Sequence, residues 1–91
     1  MQIEVSVPSL LTDCTGGRNY FMLEAGTLEE AMKRLFEAYP LLRKHLYTEA
    51  GKLRQHVLIY YNDSNIEWLE HYRIPVQTGD KLMVLQAVSG G

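Results

Sequence analysis

The sequence predicts an α+β domain in which a mixed sheet of four to five strands carries one main helix on one face. Three observations point there. Ile3-Glu4-Val5-Ser6-Val7 alternates apolar and polar at period two, a single stripe at helical spacing runs from Leu28 to Tyr39, and Val57 to Tyr61 and Lys81 to Gln86 read as later strands. Strands with one long helix between them pack as two layers. At 91 residues, 46% of them hydrophobic, the chain has material for one core and no room for a second.

Ile3, Val5 and Val7 share one face of the first strand, and Pro8 ends it. Thr12, Asp13, Thr15, Gly16 and Gly17 supply turn chemistry before Tyr20 to Glu24 resumes as a second strand, so the opening reads as a hairpin with a long tip. Thr27 with Glu30 three residues later is a capping box, and Leu28, Ala31, Met32, Leu35, Phe36 and Tyr39 then form the buried stripe of a helix. Glu29 to Lys33 and Glu30 to Arg34 are favourable i,i+4 pairs on its wet side. Pro40 ends or kinks this helix, and Leu41 to Tyr47 adds a short helical turn. After the strand Val57 to Tyr61 comes the turn Asn62-Asp63-Ser64-Asn65. Ile66 to Tyr72 reads as a helical turn carrying Trp68 and Leu69 inward, Ile74 to Val76 as a brief strand, and Thr78-Gly79-Asp80 as the turn into the last strand.

Composition excludes several functions. A net charge of -2 has the wrong sign for a protein that neutralises phosphates, so nucleic acid is not expected as a partner. One cysteine, Cys14, rules out an internal disulfide and any thiolate metal cluster. No apolar run is long enough for a membrane helix, no leader pattern opens the chain, and the expected location is cytoplasmic, without a membrane partner. His45, His56 and His71 lack metal-ligand spacing, so no metal site is expected. Cys14 lacks an evident base, although Arg18 could favour its thiolate. Lys33, Arg34, Arg43, Lys44, Lys52 and Arg54 alternate with Glu29, Glu30, Glu37 and Glu49, which reads as a solvated mixed-charge face. No catalytic side chain stands out.

The element order, the opening Met1-Gln2-Ile3, the Asn62-Asp63 and Gly79-Asp80 turns and the ending Ala87-Val88-Ser89-Gly90-Gly91 resemble the ubiquitin-like β-grasp sulfur carriers of the ThiS and MoaD group over the whole chain. The long segment from Pro8 to Gly17 and Val57 to Asp63 look most like the carrier of thiocarboxylate-dependent cysteine biosynthesis; molybdopterin and thiamine carriers fit less well. Ser89 departs from the alanine common in these tails. The resemblance implies one β-grasp domain over residues 1–91 with a flexible tail at 86–91. It implies that the Gly91 carboxylate attacks the α-phosphate of ATP within a partner, a ubiquitin-activating-type adenylyltransferase like MoeB or ThiF. Sulfur then displaces the adenylate to leave a thiocarboxylate. ATP and Mg belong to that partner, and the carrier itself binds no cofactor. A sulfur-accepting synthase, pyridoxal-phosphate-dependent in the cysteine pathway, would take the sulfur, and a metalloprotease could trim the terminus. The carrier is then a cosubstrate and not an enzyme.

The residues suit that role. Gly90 and Gly91 lack the Cβ that would hinder threading into a closed site, with Ser89 and Val88 leading into them. Ordering the tail costs about 1 to 2 kcal/mol per residue, about 5 to 10 kcal/mol in all, which a tail almost without side chains cannot recover alone. A docking surface on the body has to supply the difference. One helix covers only one sheet face, and parity puts Val57, Ile59, Tyr61, Leu82 and Val84 beneath it, leaving Leu58, Tyr60, Met83 and Leu85 outward as a partner surface. Two other readings use the same residues: a ubiquitin-like modifier conjugated through Gly91, and an interaction module that works without terminal chemistry.

Overall fold

Strand alternation and helix caps set most of the architecture. The computed structural model describes residues 1–86. Strand β1 (Gln2–Ser6) pairs antiparallel with β2 (Tyr20–Glu24), Val5 opposite Phe21. On its other side lies β5 (Lys81–Gln86), parallel to it, with Val5 level with Leu82. Strand β3 (Val57–Tyr61) runs antiparallel to β5, and β4 (Ser64–Asn65) adds a two-residue edge, giving the order β2-β1-β5-β3-β4. Gln86, expected at the head of the tail, is the last residue of β5.

The helical layer holds more than the one main helix. Helix α1 (Leu28–Ala38) starts as its sequence requires: the Thr27 hydroxyl accepts the Glu30 N–H at 3.1 Å. The Glu30 carboxylate reaches back to the N–H of Gly26 at 2.6 Å, one residue earlier than the reciprocal box expects. Tyr39 is drawn out of the helical region because Pro40 follows it. Pro40 then opens α2 (Pro40–Leu46), since its fixed φ and missing N–H suit a first helical turn. Leu42 and Leu46 of α2 are fully buried beside Leu28 and Leu35 of α1.

Three local expectations are corrected. β1 and β2 do pair as a hairpin with a long tip, but that tip is more than turn chemistry: Ser9–Thr15 forms a 3-10 helix that turns Leu11 into the core. Gly16 closes it at φ +66°, and the N–H of Gly17 donates to Thr12 at 2.7 Å. Trp68 does not turn inward. In the 3-10 turn Ile66–Trp68, capped by the Asn65 side chain on the Glu67 N–H, Ile66 takes the core position and Trp68 stays 76% exposed. Ile74 to Val76 is no strand: Pro75 lacks the N–H a ladder needs, and the segment is tied to the start of α1 by Leu28 N–H to Ile74 (2.9 Å) and Val76 N–H to Gly26 (3.1 Å). The short strand is β4 instead.

The core lies between the helices and the inner sheet face. Ile3, Val5, Val57, Ile59, Leu82 and Val84 face Leu28, Ala31 and Leu35, all at or near zero exposure. Each large side chain so buried contributes about 1.5 to 3 kcal/mol. Leu35→Ala should therefore destabilise the domain by about 2 to 5 kcal/mol. Urea unfolding followed by far-UV circular dichroism measures this, and a loss below 1 kcal/mol, about a single methylene's share, would contradict this packing.

Candidate functional site

The expected tail residues Val88, Ser89, Gly90 and Gly91 lie outside the described residues, so the site is described from the surface around β5. Three features meet around β5.

The first is a clamp at the start of β5. Asp80 accepts from the Tyr61 hydroxyl and from the Gln77 N–H at 2.8 Å. Its own carbonyl accepts the Glu4 N–H at 2.8 Å, which ties the turn to β1. The Asn62 side chain accepts the Lys81 N–H at 2.9 Å, and Asn62 takes a left-handed conformation that asparagine tolerates. Gly79, at φ +93°, completes the second turn. The two turns prominent in the sequence thus hold the ends of β3 and β5 together. Burial, and then the Asp80 bond, push the Tyr61 phenol up to about 12. The Tyr61 bond, and then the Gln77 amide, hold the Asp80 carboxyl below its ordinary value.

The second is the outer sheet face. Leu58 stands opposite Leu85, and Tyr60 opposite Met83. Leu58, Met83 and Leu85 are 36 to 39% exposed, as parity predicts, while Tyr60, paired with Met83, is half-buried. Met83 also registers beside Ser6, which pairs with Tyr20, while Glu4 pairs with Met22. Tyr20 and Met22 therefore extend this face on the far side of β1, both exposed. The sequence reading missed them, although the alternation of Tyr20 and Met22 against Phe21 held the signal. Tyr20 donates to Glu4 at 2.7 Å, which raises its phenol pKa.

The third is a recess of about 430 Å³ at the C-terminal end of β5, lined by Leu11, Lys44, His45, Arg54, His56 and Gln86. The mixed-charge face expected from sequence is not a single surface. Arg34 pairs with Glu30 at 3.5 Å on α1, whereas Lys44 and Arg54 come together at the foot of β5. No ion pair engages Lys44 or Arg54 among the described residues.

The remaining candidates do not assemble. Among the described residues no three of His, Cys, Asp and Glu converge on a point, and no helix is long and apolar enough to cross a membrane. His45 and His56 line the recess, while His71 lies apart beside Glu67 and Tyr72. Burial, then Asp13, push the Cys14 thiol up, opposite to stabilisation by Arg18.

A five-stranded mixed sheet with its helices on one face is the ubiquitin-like β-grasp architecture. The ThiS family model matches residues 5–91. The sulfur carrier protein CysO of Mycobacterium tuberculosis is 30% identical over 93 residues, covering 100% of both chains. A chain of the Amycolatopsis orientalis BexX/CysO complex is 28% identical with a TM-score of 0.77, covering 98% of this chain and 99% of that one. The crystal structure of M. tuberculosis CysO gives a TM-score of 0.75 at 28% identity, over 94% of this chain and 99% of that one. The chain belongs to the ThiS family. These sequence relatives are named as carriers, not as enzymes.

The clamp predicts a pH profile. A lowered Asp80 pKa gives stability that is present above the ordinary carboxylate value near 3.9 and lost as pH falls through the folded value. A raised Tyr61 pKa gives stability that is present below about 10 and lost as pH rises towards about 12. Tyr61→Phe should cost about 1 kcal/mol at pH 7 and flatten the alkaline loss. Unfolding midpoints between pH 3 and 11 check this, and an alkaline limb unchanged in the variant would contradict it.

Proposed function

We propose that this protein is a sulfur carrier whose Gly91 carboxylate, standing at the terminus as encoded or after trimming, is adenylated by a partner and converted to a thiocarboxylate. The sulfur so held serves the biosynthesis of cysteine or a related sulfur metabolite. The observation that supports this best is the end-to-end similarity to CysO, with Gly90-Gly91 following the central strand β5 after only Ala87, Val88 and Ser89.

The chemistry divides between two proteins. The Gly91 carboxylate attacks the α-phosphate of ATP and pyrophosphate leaves. Sulfide then displaces AMP and leaves the thiocarboxylate. ATP and Mg are held by a ubiquitin-activating-type adenylyltransferase, and a synthase, pyridoxal-phosphate-dependent in the cysteine pathway, takes the sulfur. The carrier contributes position: Gly90 and Gly91 offer no Cβ to obstruct a closed site, and Leu58, Tyr60, Met83 and Leu85 supply the apolar contact that offsets tail ordering.

The test incubates the protein ending at Gly91 with such an adenylyltransferase, ATP, Mg and sulfide, then records the intact mass. A mass gain equal to one oxygen-for-sulfur exchange, absent when Gly90 and Gly91 are deleted, is the expected result. No gain in the full protein removes the carrier reading, and isopeptide-linked diglycine remnants on target lysines without any such gain replace it with conjugation.

For the outer face, Met83→Ala and Leu85→Ala should each weaken binding to the adenylyltransferase by about tenfold, or about 1.4 kcal/mol. Both side chains are part-exposed, so their stability losses should be smaller than that of Leu35→Ala. Calorimetric titration beside a thermal melt checks this, and unchanged affinity in both variants would clear the outer face of the role.

A further inference from the structure

The recess at the foot of β5 is the feature that the carrier reading leaves without a use. Its position is fixed by the sheet: Gln86 is level with Val57 in the β3 ladder, so His56, just before Val57, stands at the root of the tail. Lys44 and His45 come to the same place from the last turn of α2. The Arg54 guanidinium donates to the Lys44 carbonyl at 3.1 Å, and its backbone N–H donates to Leu46 at 2.9 Å, which holds the loop before β3 against the helix end. Cations at a helix C-terminus complement its dipole, and that explains part of the cluster. It does not account for His56, or for Lys44 and Arg54 lining one recess in a chain of net charge -2. Glu49 lines the adjoining hollow together with Lys44 and Arg54.

We propose that this basic recess receives an acidic surface segment of the adenylyltransferase at the mouth of the channel that takes the tail. The proposal rests on the carrier reading. Five residues separate Gln86 from the Gly91 carboxylate and span at most about 17 Å. A partner that closes around Gly91 is therefore brought against the root of the tail, where Lys44 and Arg54 stand. The same length keeps both cations too distant to serve the reacting phosphate of an extended tail, so they act on protein and not on nucleotide. Exposed cations of this kind raise the rate of encounter and fix orientation more than they add affinity.

The test measures ATP–pyrophosphate exchange by the adenylyltransferase as a function of carrier concentration at low and high salt. Lys44→Glu with Arg54→Glu should lower kcat/KM for the carrier about tenfold at low salt, leave kcat unchanged, and flatten the salt dependence. Lys44→Gln with Arg54→Lys keeps one cation and should fall between the two, and it takes over the test if the reversed protein melts early. Wild-type kcat/KM and salt slope in the folded variants would overturn the docking proposal while exchange itself upholds the carrier. An effect on the KM for ATP alone would overturn it in favour of a nucleotide contact. Absence of exchange with the wild-type protein would instead remove the carrier reading and this proposal with it.

Discussion

The parallel pairing of β1 with β5 is the constraint on which the rest depends. Val5 and Leu82 meet at its centre with no exposure at all, and each also packs under the helical layer. Parallel neighbours cannot be joined by a tight turn, so the chain between them has to cross over the sheet. That crossover contains both helices and delivers them to one face. It also places the final strand between β1 and β3, bonded on both edges. A terminal strand at a sheet margin can fray, whereas β5 cannot leave without breaking two ladders. The strand that ends the described residues is therefore among the most firmly held parts of the domain.

The same constraint leaves the outer face bare. A chain of this length has one helical layer to spend, and the inner face takes it. Strands β3 and β5 nevertheless carry Leu58, Tyr60, Met83 and Leu85 on the side the helices do not reach. Nothing in the fold requires apolar side chains there; β1 carries Glu4 and Ser6 at the equivalent outward positions. The outer face is therefore apolar on β3 and β5, polar along β1, and apolar again at Tyr20 and Met22 of β2.

Periodicity carried most of this in the sequence. The inward and outward sets on β3 and β5 were legible because a strand has a period of two and each set has a fixed parity. Thr27 and Glu30 marked the start of α1 because the cap depends on neighbours three residues apart. Legibility failed where tertiary contacts choose between equal local options. Leu10-Leu11 could have crossed a hairpin tip or entered the core, and only the approach of α2 selects Leu11 for burial. Ile66 and Trp68 are both apolar enough to face inward, and it is Ile66 that is buried. The basic recess was illegible for a different reason: Lys44, Arg54 and Gln86 are far apart in sequence, and alternation with glutamates hid a cluster that exists only once β3 and β5 pair.

Net charge was the weakest guide to surface chemistry. A value of -2 rules out broad attraction to phosphate but says little about one pole of a small domain. Here Lys44, Arg54 and the two histidines stand at the foot of β5, while Glu29, Glu67 and Glu70 line a separate hollow together with His71 and Arg73. A charge distribution divided in this way orients an approaching partner even when the total is nearly neutral. The apolar outer face acts at a later stage, because buried apolar contact governs how long a complex lasts and has little range. For the carrier role proposed above, in which the protein would reach an activating partner, leave it and reach an acceptor, separate control of the two rates has a use. Long-range charge can hasten encounter without making the complex more durable.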